Sequence, residues 1–397
     1  MFAAIGKFLI GKIVQTEKQF DVVICGAGPA GSTCALALGK SGLKVALIEK
    51  STFPRGKICG DALAAYVPKV LNTIDPNLVK AFEEFSEKEK VNIIKLVAPN
   101  TSQLDINMKE FGHISTRMNF DNFLFQEVCK LQNTTILQNS SVTNIVVSEN
   151  SVTATLDNGT IINSKLIIGC DGAQGVVAKK LTGTKIDHEH NSGAVRAYYK
   201  NVSGMQPLTF ELHFLEDILP GYFWIFPLPD NRCNVGIGLL SKTISEKKVN
   251  LKAKMAEVIN EVPYLKKRFE NAEMISEIKG FGLPLGSRKV QMSGNRFMLC
   301  GDAASLIDPA TGEGIGQAMV SGRYAGWHAM ECFKKNNFSA AFMKEYDNLV
   351  YAKLWKDHKR RYLVQRLING RPRLVNFIVN TANKNKFVKI LVEKALW

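Results

Sequence analysis

The 397-residue chain predicts an α/β fold, α+β overall. It should hold a parallel sheet built from distant segments, a β-rich insertion, and a helical C-terminal region. Three observations predict this. A strand–turn–helix–strand unit occupies Asp21 to Lys50, a second strand runs through a loop into a helix over Arg296 to Gly326, and strand follows strand between them.

Asp21 to Cys25 is a short, β-branched apolar run, suited to a buried parallel strand. Gly26-Ala27-Gly28-Pro29-Ala30-Gly31 follows and matches G-x-G-x-x-G. There the first glycine allows a sharp turn, the second lets backbone approach a pyrophosphate, and the third lets the helix pack on the strand. Orphan amides and the positive dipole end of that helix complete an anion site. Val45 to Ile48 is the second strand, and Glu49 closes it 18 residues after Gly31. An acid at that spacing accepts hydrogen bonds from ribose hydroxyls, which favours FAD or NAD over NADP. A glycine triplet alone also suits a structural βαβ turn; the strand, helix and acid around it decide for a Rossmann-like nucleotide site.

Apolar residues make up 46% and charged residues 22%, as in an ordinary globular protein, with no repeat or low-complexity tract. The net charge of +15 is uneven: Lys353 to Trp397 holds twelve Lys and Arg against two acids, net +10, leaving +5 elsewhere. The eight cysteines form no C-x-x-C and no ligand-like pairing with the six histidines, so no metal site is expected and the setting should be reducing. No run of about 20 apolar residues is present, which argues against a spanning helix. Met1 to Val14 is apolar but interrupted by Lys7 and Lys12, and reads as a short amphipathic helix in preference to a signal peptide. The expected location is cytoplasmic, with peripheral contact at the inner membrane face as its extension.

After Glu49 a loop rich in glycine and basic residues runs to Asp61. Ala62 to Val70 and Leu78 to Phe85 read as helices, Val91 to Val97 and Leu104 to Met108 as paired strands, and Phe120 to Leu131 as a helix preceded by Arg117. Thr135 to Leu137, Val142 to Ser148, Ser151 to Leu156 and Thr160 to Asn163 read as a meander turning at Asp157-Asn158-Gly159. Leu166 to Gly169 is a buried strand leading into Cys170-Asp171-Gly172. Strands fill Gly193 to Leu240, Val249 to Phe269 is helical, and Lys279 to Val290 extended. Arg296 to Cys300 is a strand ending in Gly301-Asp302, and Gly314 to Lys334 a long helix. The nucleotide domain should thus comprise 1–70, 110–185 and 291–335, the β-rich substrate domain 71–109 and 186–290, and a basic helical region 336–397.

The glycine loop, the central Asp171-Gly172 and the late Gly301-Asp302 together make the chain resemble FAD enzymes of the p-hydroxybenzoate hydroxylase fold. Within that group it resembles the geranylgeranyl reductase family. Lys57-Ile58-Cys59-Gly60 and Tyr222-Phe223-Trp224-Ile225-Phe226-Pro227, followed by Gly236-Ile237-Gly238, carry the narrower resemblance. It implies cofactor contacts from Gly26, Gly28, Pro29, Ala30, Gly31, Glu49, Lys50, Lys57, Cys59, Gly60, Arg117, Asp171, Gly172, Gly301 and Asp302. Asp302 would hold the ribityl or pyrophosphate region, although an acid there also suits a helix cap. Amides around Gly312, Glu313, Gly314 and Ile315 would face the flavin N1–C2=O edge, where a reduced flavin is negative. Relatives often follow Asp-Gly with serine and then arginine, whereas this chain has Gly175 and Ala178; that leaves the electron donor, NAD(P)H or another, open.

On one strand face stand Tyr222, Trp224 and Phe226, by alternation. With Pro227, Gly236 and Gly238 they read either as core or, beside a flavin, as the wall of a pocket for a long hydrocarbon. Cys59 is the candidate catalytic residue, positioning substrate or relaying a proton; its alternative is a loop thiol packed under the flavin. The implied activity is reduction of carbon–carbon double bonds in an isoprenoid or lipid. Rivals are an aromatic monooxygenase using NAD(P)H and O2, an electron-transfer flavoprotein, and, more weakly, a flavin halogenase, whose W-x-W-x-I-P pattern and catalytic lysine this chain does not show. The basic C-terminal segment reads as a solvated helix pair or as a surface for anionic lipid. No recognition motif accompanies the charge, so nucleic acid is not an expected partner.

Overall fold

A computed structural model describes residues 17–183 and 185–396, so the expected helix at Met1 to Val14 lies outside the described residues. Val22–Cys25 and Val45–Ile48 pair in parallel with each other, and Leu166–Gly169 adds to the free edge of Val22–Cys25. Thr134–Leu137 extends one side and Phe297–Leu299 the other, with Ser293–Gly294 closing a six-stranded sheet. Every residue of the three central strands is buried, as expected of parallel strands covered on both faces. Helices Pro29–Leu38 and Ile315–Lys334 cover one face together: Gly322 lies so close to Ala30 that a Cβ would stand 2.1 Å from its carbonyl oxygen.

The expected meander divides. Val142–Val147, Val152–Leu156 and Ile161–Ser164 form a separate sheet completed by Glu17–Gln19. Thr134–Leu137 joins the parallel sheet instead, because the βαβ crossover through helix Arg117–Cys129 delivers it beside Val45–Ile48. Alternation alone does not reveal which edge a strand will take.

The insertion is a nine-stranded, mostly antiparallel sheet. It runs through Asn191–Lys200, Arg232–Leu240, Tyr222–Leu228, Thr209–His213, Glu89–Val97 and Gln103–Ile114, and ends on Ala62–Leu63. Ala62 and Leu63, read from sequence as helical, pair as a strand with Ile114 and His113. Helices Val67–Asn72 and Pro76–Glu84 instead pack into the parallel-sheet core through Val67, Leu71 and Phe82. Pro263 divides the expected helix at 249–269 into Leu251–Glu261 and Pro263–Phe269. Helix Ala340–Ile368 seats Met343, Tyr346 and Val350 in the same core as the parallel sheet, while Pro372–Lys384 places Val375, Val379 and Ala382 in the insertion's core. The basic C-terminal region is therefore split between both layers.

Candidate active site

The glycine turn takes the shape its chemistry requires. Gly26 adopts φ +98°, and a Cβ there would stand 2.4 Å from the carbonyl oxygen of Cys170. Gly31 approaches Gly26 so closely that a Cβ would lie 1.8 Å from its carbonyl oxygen. Gly28 caps helix Pro29–Leu38 without a side-chain bond, leaving the first amides free for an anion. Arg55 and Arg117 face the same turn, their guanidinium nitrogens 3.7 and 3.8 Å from a Cβ built on Gly28.

Asp121 holds both arginines. Its carboxylate takes two bonds from Arg117, at 2.6 and 2.7 Å, and one from Arg55 at 2.6 Å. Burial alone would raise the Asp121 pKa, but the two guanidinium groups outweigh it and hold the carboxyl below its usual range. Glu49 also pairs with Arg55 at 3.5 Å, so the two cations beside the turn are balanced by two carboxylates. Glu49 is buried and accepts from the Ala27 amide at 3.0 Å and the Ser51 amide at 3.1 Å. A carboxylate has about four acceptor sites, so capacity for ribose remains. These features fit a dinucleotide.

Two of the three distant signatures meet at Lys57, and the glycine loop joins them through Gly301. The Lys57 ammonium pairs with Asp302 at 3.0 Å and lies 3.8 Å from a Cβ built on Gly172, and Ala30 touches Gly301 at 3.7 Å by the same measure. Pro29, Lys57, Cys59, Gly60, Arg117, Asp302, Gly312, Glu313, Gly314 and Ile315 line one cavity of 750 Å³ together with Tyr222, Trp224, Phe226 and Gly238. Lys50 is exposed, and Asp171 caps helix Val176–Leu181 by accepting from the Val177 amide at 2.9 Å. Pro227 and Gly236 stand behind the wall. A Cβ on Gly236 would sit 2.2 Å from Trp224 Cζ2, so this glycine makes room for the indole.

Of the four amides expected to face the flavin edge, two are engaged in the loop: Gly312 donates to Asp308 O at 3.0 Å and Glu313 to Thr311 Oγ1 at 3.3 Å. Those of Gly314 and Ile315, at the start of helix Ile315–Lys334, have no partner among the described residues. The Glu313 carboxyl turns away to Gly316 N and Tyr66 OH, and burial, with Asp308 nearby, pushes its pKa up to about 7.

Around Cys59 is a network that sequence reasoning missed. Asp61, fully buried and held at φ +68°, accepts from Tyr198 OH at 2.7 Å, Asn234 Nδ2 at 2.8 Å and the Arg117 amide at 3.3 Å. Asn234 also donates to Cys59 O at 2.8 Å and accepts from Trp224 Nε1 at 2.9 Å. One amide side chain thus ties the backbone of the Cys59 loop, the buried acid and the aromatic wall. Burial pushes Asp61 up to about 6 against the pull of its donors and of Arg196 and Arg117. Burial likewise raises the Cys59 pKa, so it stays a neutral thiol at neutral pH. Asp121, also missed, carried a local signal in its i+4 spacing from Arg117. Tyr198 and Asn234 carried no local signal, since strand pairing alone brings them to Asp61.

A nucleotide-type sheet whose glycine turn opens on an apolar cavity suits a flavoprotein, and residues 19–347 match the FAD binding domain family. That makes the chain an FAD-dependent oxidoreductase in class. It is 30% identical over 362 residues to the digeranylgeranylglycerophospholipid reductase of Methanococcus vannielii, covering 88% of this chain and 86% of the relative. The corresponding reductase 1 of Methanococcoides burtonii is 29% identical over 344 residues, covering 83% and 79%. A solved geranylgeranyl bacteriochlorophyll reductase-like protein from Thermoplasma acidophilum superposes with TM-score 0.80 at 26% identity, covering 92% and 91%. The chain belongs to the geranylgeranyl reductase family. A flavin-dependent brominase superposes with TM-score 0.73 at 20% identity, covering 94% and 93%, a likeness of fold alone. Neither the halogenase nor the monooxygenase reading is favoured.

Proposed function

We propose that this protein reduces carbon–carbon double bonds in the isoprenoid chains of a lipid, taking electrons from NAD(P)H or another external donor. The observation that carries this is the single cavity in which the aromatic wall and the cofactor-side residues meet. The names of the relatives, reductases of a geranylgeranyl-bearing glycerophospholipid, support the substrate class. Bound FAD, once reduced, supplies a hydride to one alkene carbon.

The remaining work falls to the chain. Tyr222, Trp224 and Phe226 hold an apolar chain and keep water from it, with edge-on and tilted ring packing (Tyr222–Trp224 centroids 5.9 Å apart, Trp224–Phe226 6.0 Å). Asn234 fixes the indole, Gly314 and Ile315 offer two aligned amides to developing negative charge, and the Cys59 thiol holds a proton for the second alkene carbon. Water is the alternative proton source. Anaerobic mixing of dithionite-reduced protein with geranylgeranyl lipids tests the reading. Flavin reoxidation with appearance of the saturated chain is expected; no reoxidation with any prenyl substrate overturns it.

The C-terminal surface suits peripheral contact with an anionic membrane. Leu363, Phe377, Phe387 and Leu391 are 58, 66, 68 and 50% exposed among the basic residues of the tail. No helix among the described residues is long and apolar enough to cross a membrane. Cosedimentation with phosphatidylglycerol vesicles but not with neutral ones is the expected result.

A further inference from the structure

Four arginines line the cavity, and two of them pair with an acid: Arg117 with Asp121 at 2.6 Å and Arg361 with Asp308. Arg196 makes no ion pair among the described residues, but it lies near enough to the Asp61 carboxyl to help hold its pKa down, and it stacks on Tyr198 at 4.1 Å. Arg323 differs. It is only 7% exposed, its Nε has no hydrogen-bond partner, and no carboxylate pairs with it among the described residues. Its guanidinium lies over the rings of Tyr324 and Trp327, each 4.7 Å away, and Nη1 donates to Thr73 Oγ1 at 2.6 Å. A hydroxyl and two ring faces orient a guanidinium but do not neutralise it, and a buried cation without a counter-charge is costly.

The surroundings make the site accessible and more positive. Lys69, Thr73 and Lys353 line the same cavity and are exposed, so it reaches solvent beside Arg323. Lys69 reaches outward to Glu110 at 2.5 Å, and the lining acid Asp357 is paired with Arg360 at 3.2 Å. Lys353 has no ion pair among the described residues. Arg323 also stands on the helix that starts at Ile315, eight residues or about 12 Å farther along its axis. One rigid helix therefore carries free amides near the reacting end of the cavity and an unpaired guanidinium where it opens.

We infer that Arg323, flanked by Lys69 and Lys353, binds a phosphate group, and that this phosphate belongs to an amphipathic substrate whose prenyl chain runs inward to the aromatic wall. The inference rests on the isoprenoid reading of the cavity. A guanidinium fork matches phosphate oxygens in geometry as well as charge. The same chemistry could be met by free phosphate, which the experiment separates.

Binding to the FAD-loaded protein, followed by calorimetry without turnover, tests this with geranylgeranyl phosphate, geranylgeraniol and inorganic phosphate as probes. The phosphorylated lipid should bind about tenfold to a hundredfold more tightly than the alcohol, the range expected of charge-assisted hydrogen bonds. In Arg323→Gln that ratio should fall to about one, and in Arg323→Lys it should fall only in part. A purely structural Arg323 would weaken both lipids together and leave the ratio intact, overturning the inference. Should Arg323→Gln fail to fold, equal wild-type affinity for phosphorylated lipid and alcohol still overturns it. Tight binding of inorganic phosphate, without any gain for phosphorylated lipid, would reassign the site to free phosphate and overturn the headgroup role. If neither lipid binds, the isoprenoid reading falls with it; if both bind equally, only the phosphate site falls.

Discussion

Replacing Asp61 by asparagine separates the buried acid's charge from its hydrogen bonds. Asp61 is fully buried, and its pKa rises from 3.8 to about 6. A raised folded-state pKa means that the native protein binds this proton more tightly than the unfolded chain does. The stabilisation is complete below about pH 4 and is lost as pH rises through about 6. Two pH units at 1.36 kcal/mol each amount to about 3 kcal/mol. Glu313, raised from 4.5 to about 7, adds a slope of the same sign that both proteins share. Asparagine cannot ionise, so the Asp61 part of the slope should disappear. It also loses an acceptor: Tyr198 and Asn234 donate to one oxygen and the Arg117 amide to the other. An asparagine oxygen placed toward the first pair sets its NH2 against the Arg117 amide, costing about 1 kcal/mol. Urea unfolding of wild type and Asp61→Asn should therefore cross. The variant should be level or slightly weaker near pH 4, and about 2 kcal/mol more stable above about pH 7. A stability difference that does not change with pH would refute the reasoning, because Asp61 would then ionise as easily in the fold as outside it.

Three further outcomes follow from the site. Gly236→Ala drives a Cβ to 2.2 Å from Trp224 Cζ2 and 2.5 Å from the Val195 carbonyl oxygen. It should cost about 1–3 kcal/mol in thermal unfolding, raise KM for prenyl substrate and shift tryptophan emission. Lys57→Ala leaves Asp302 without its ion pair across the signatures; both groups are partly exposed, so stability should change by less than about 1 kcal/mol, while FAD titration should show weaker binding. Cys59→Ala should lower kcat about a hundredfold with little change in KM if the thiol delivers the proton, and Cys59→Ser should recover part of it; an unchanged rate assigns the proton to water.

The cofactor end of the site was legible because it is local. The turn at Gly26 to Gly31, the acid at Glu49 and the strand-to-acid transition at Asp302 are each set by neighbouring residues, and each lies at the expected end of its strand. The aromatic wall of the cavity was legible only in half. Alternation put Tyr222, Trp224 and Phe226 on one face, but whether that face was core or cavity depended on what lay opposite. The structure sets Gly60 against it, where a Cβ would meet Phe226 at 3.5 Å and Trp224 at 3.9 Å. The polar network behind the wall, and Arg323 at its opening, were not legible.

By itself the sequence determined the nucleotide-binding unit, the order of most strands and helices around it, and the aromatic residues that share one strand face. These follow from backbone sterics and periodicity, which act over a few residues. Only the tertiary structure decided that Thr134–Leu137 leaves the meander, that the C-terminal helix Ala340–Ile368 lines the cavity through Lys353 and Arg361, and that Asp61 is held by donors from Tyr198 and Asn234. Those contacts join positions more than a hundred residues apart in the case of Asp61, 137 and 173 residues from its two partners. Burial and charge pairing across such distances are properties of the packed chain, and no stretch of sequence contains them.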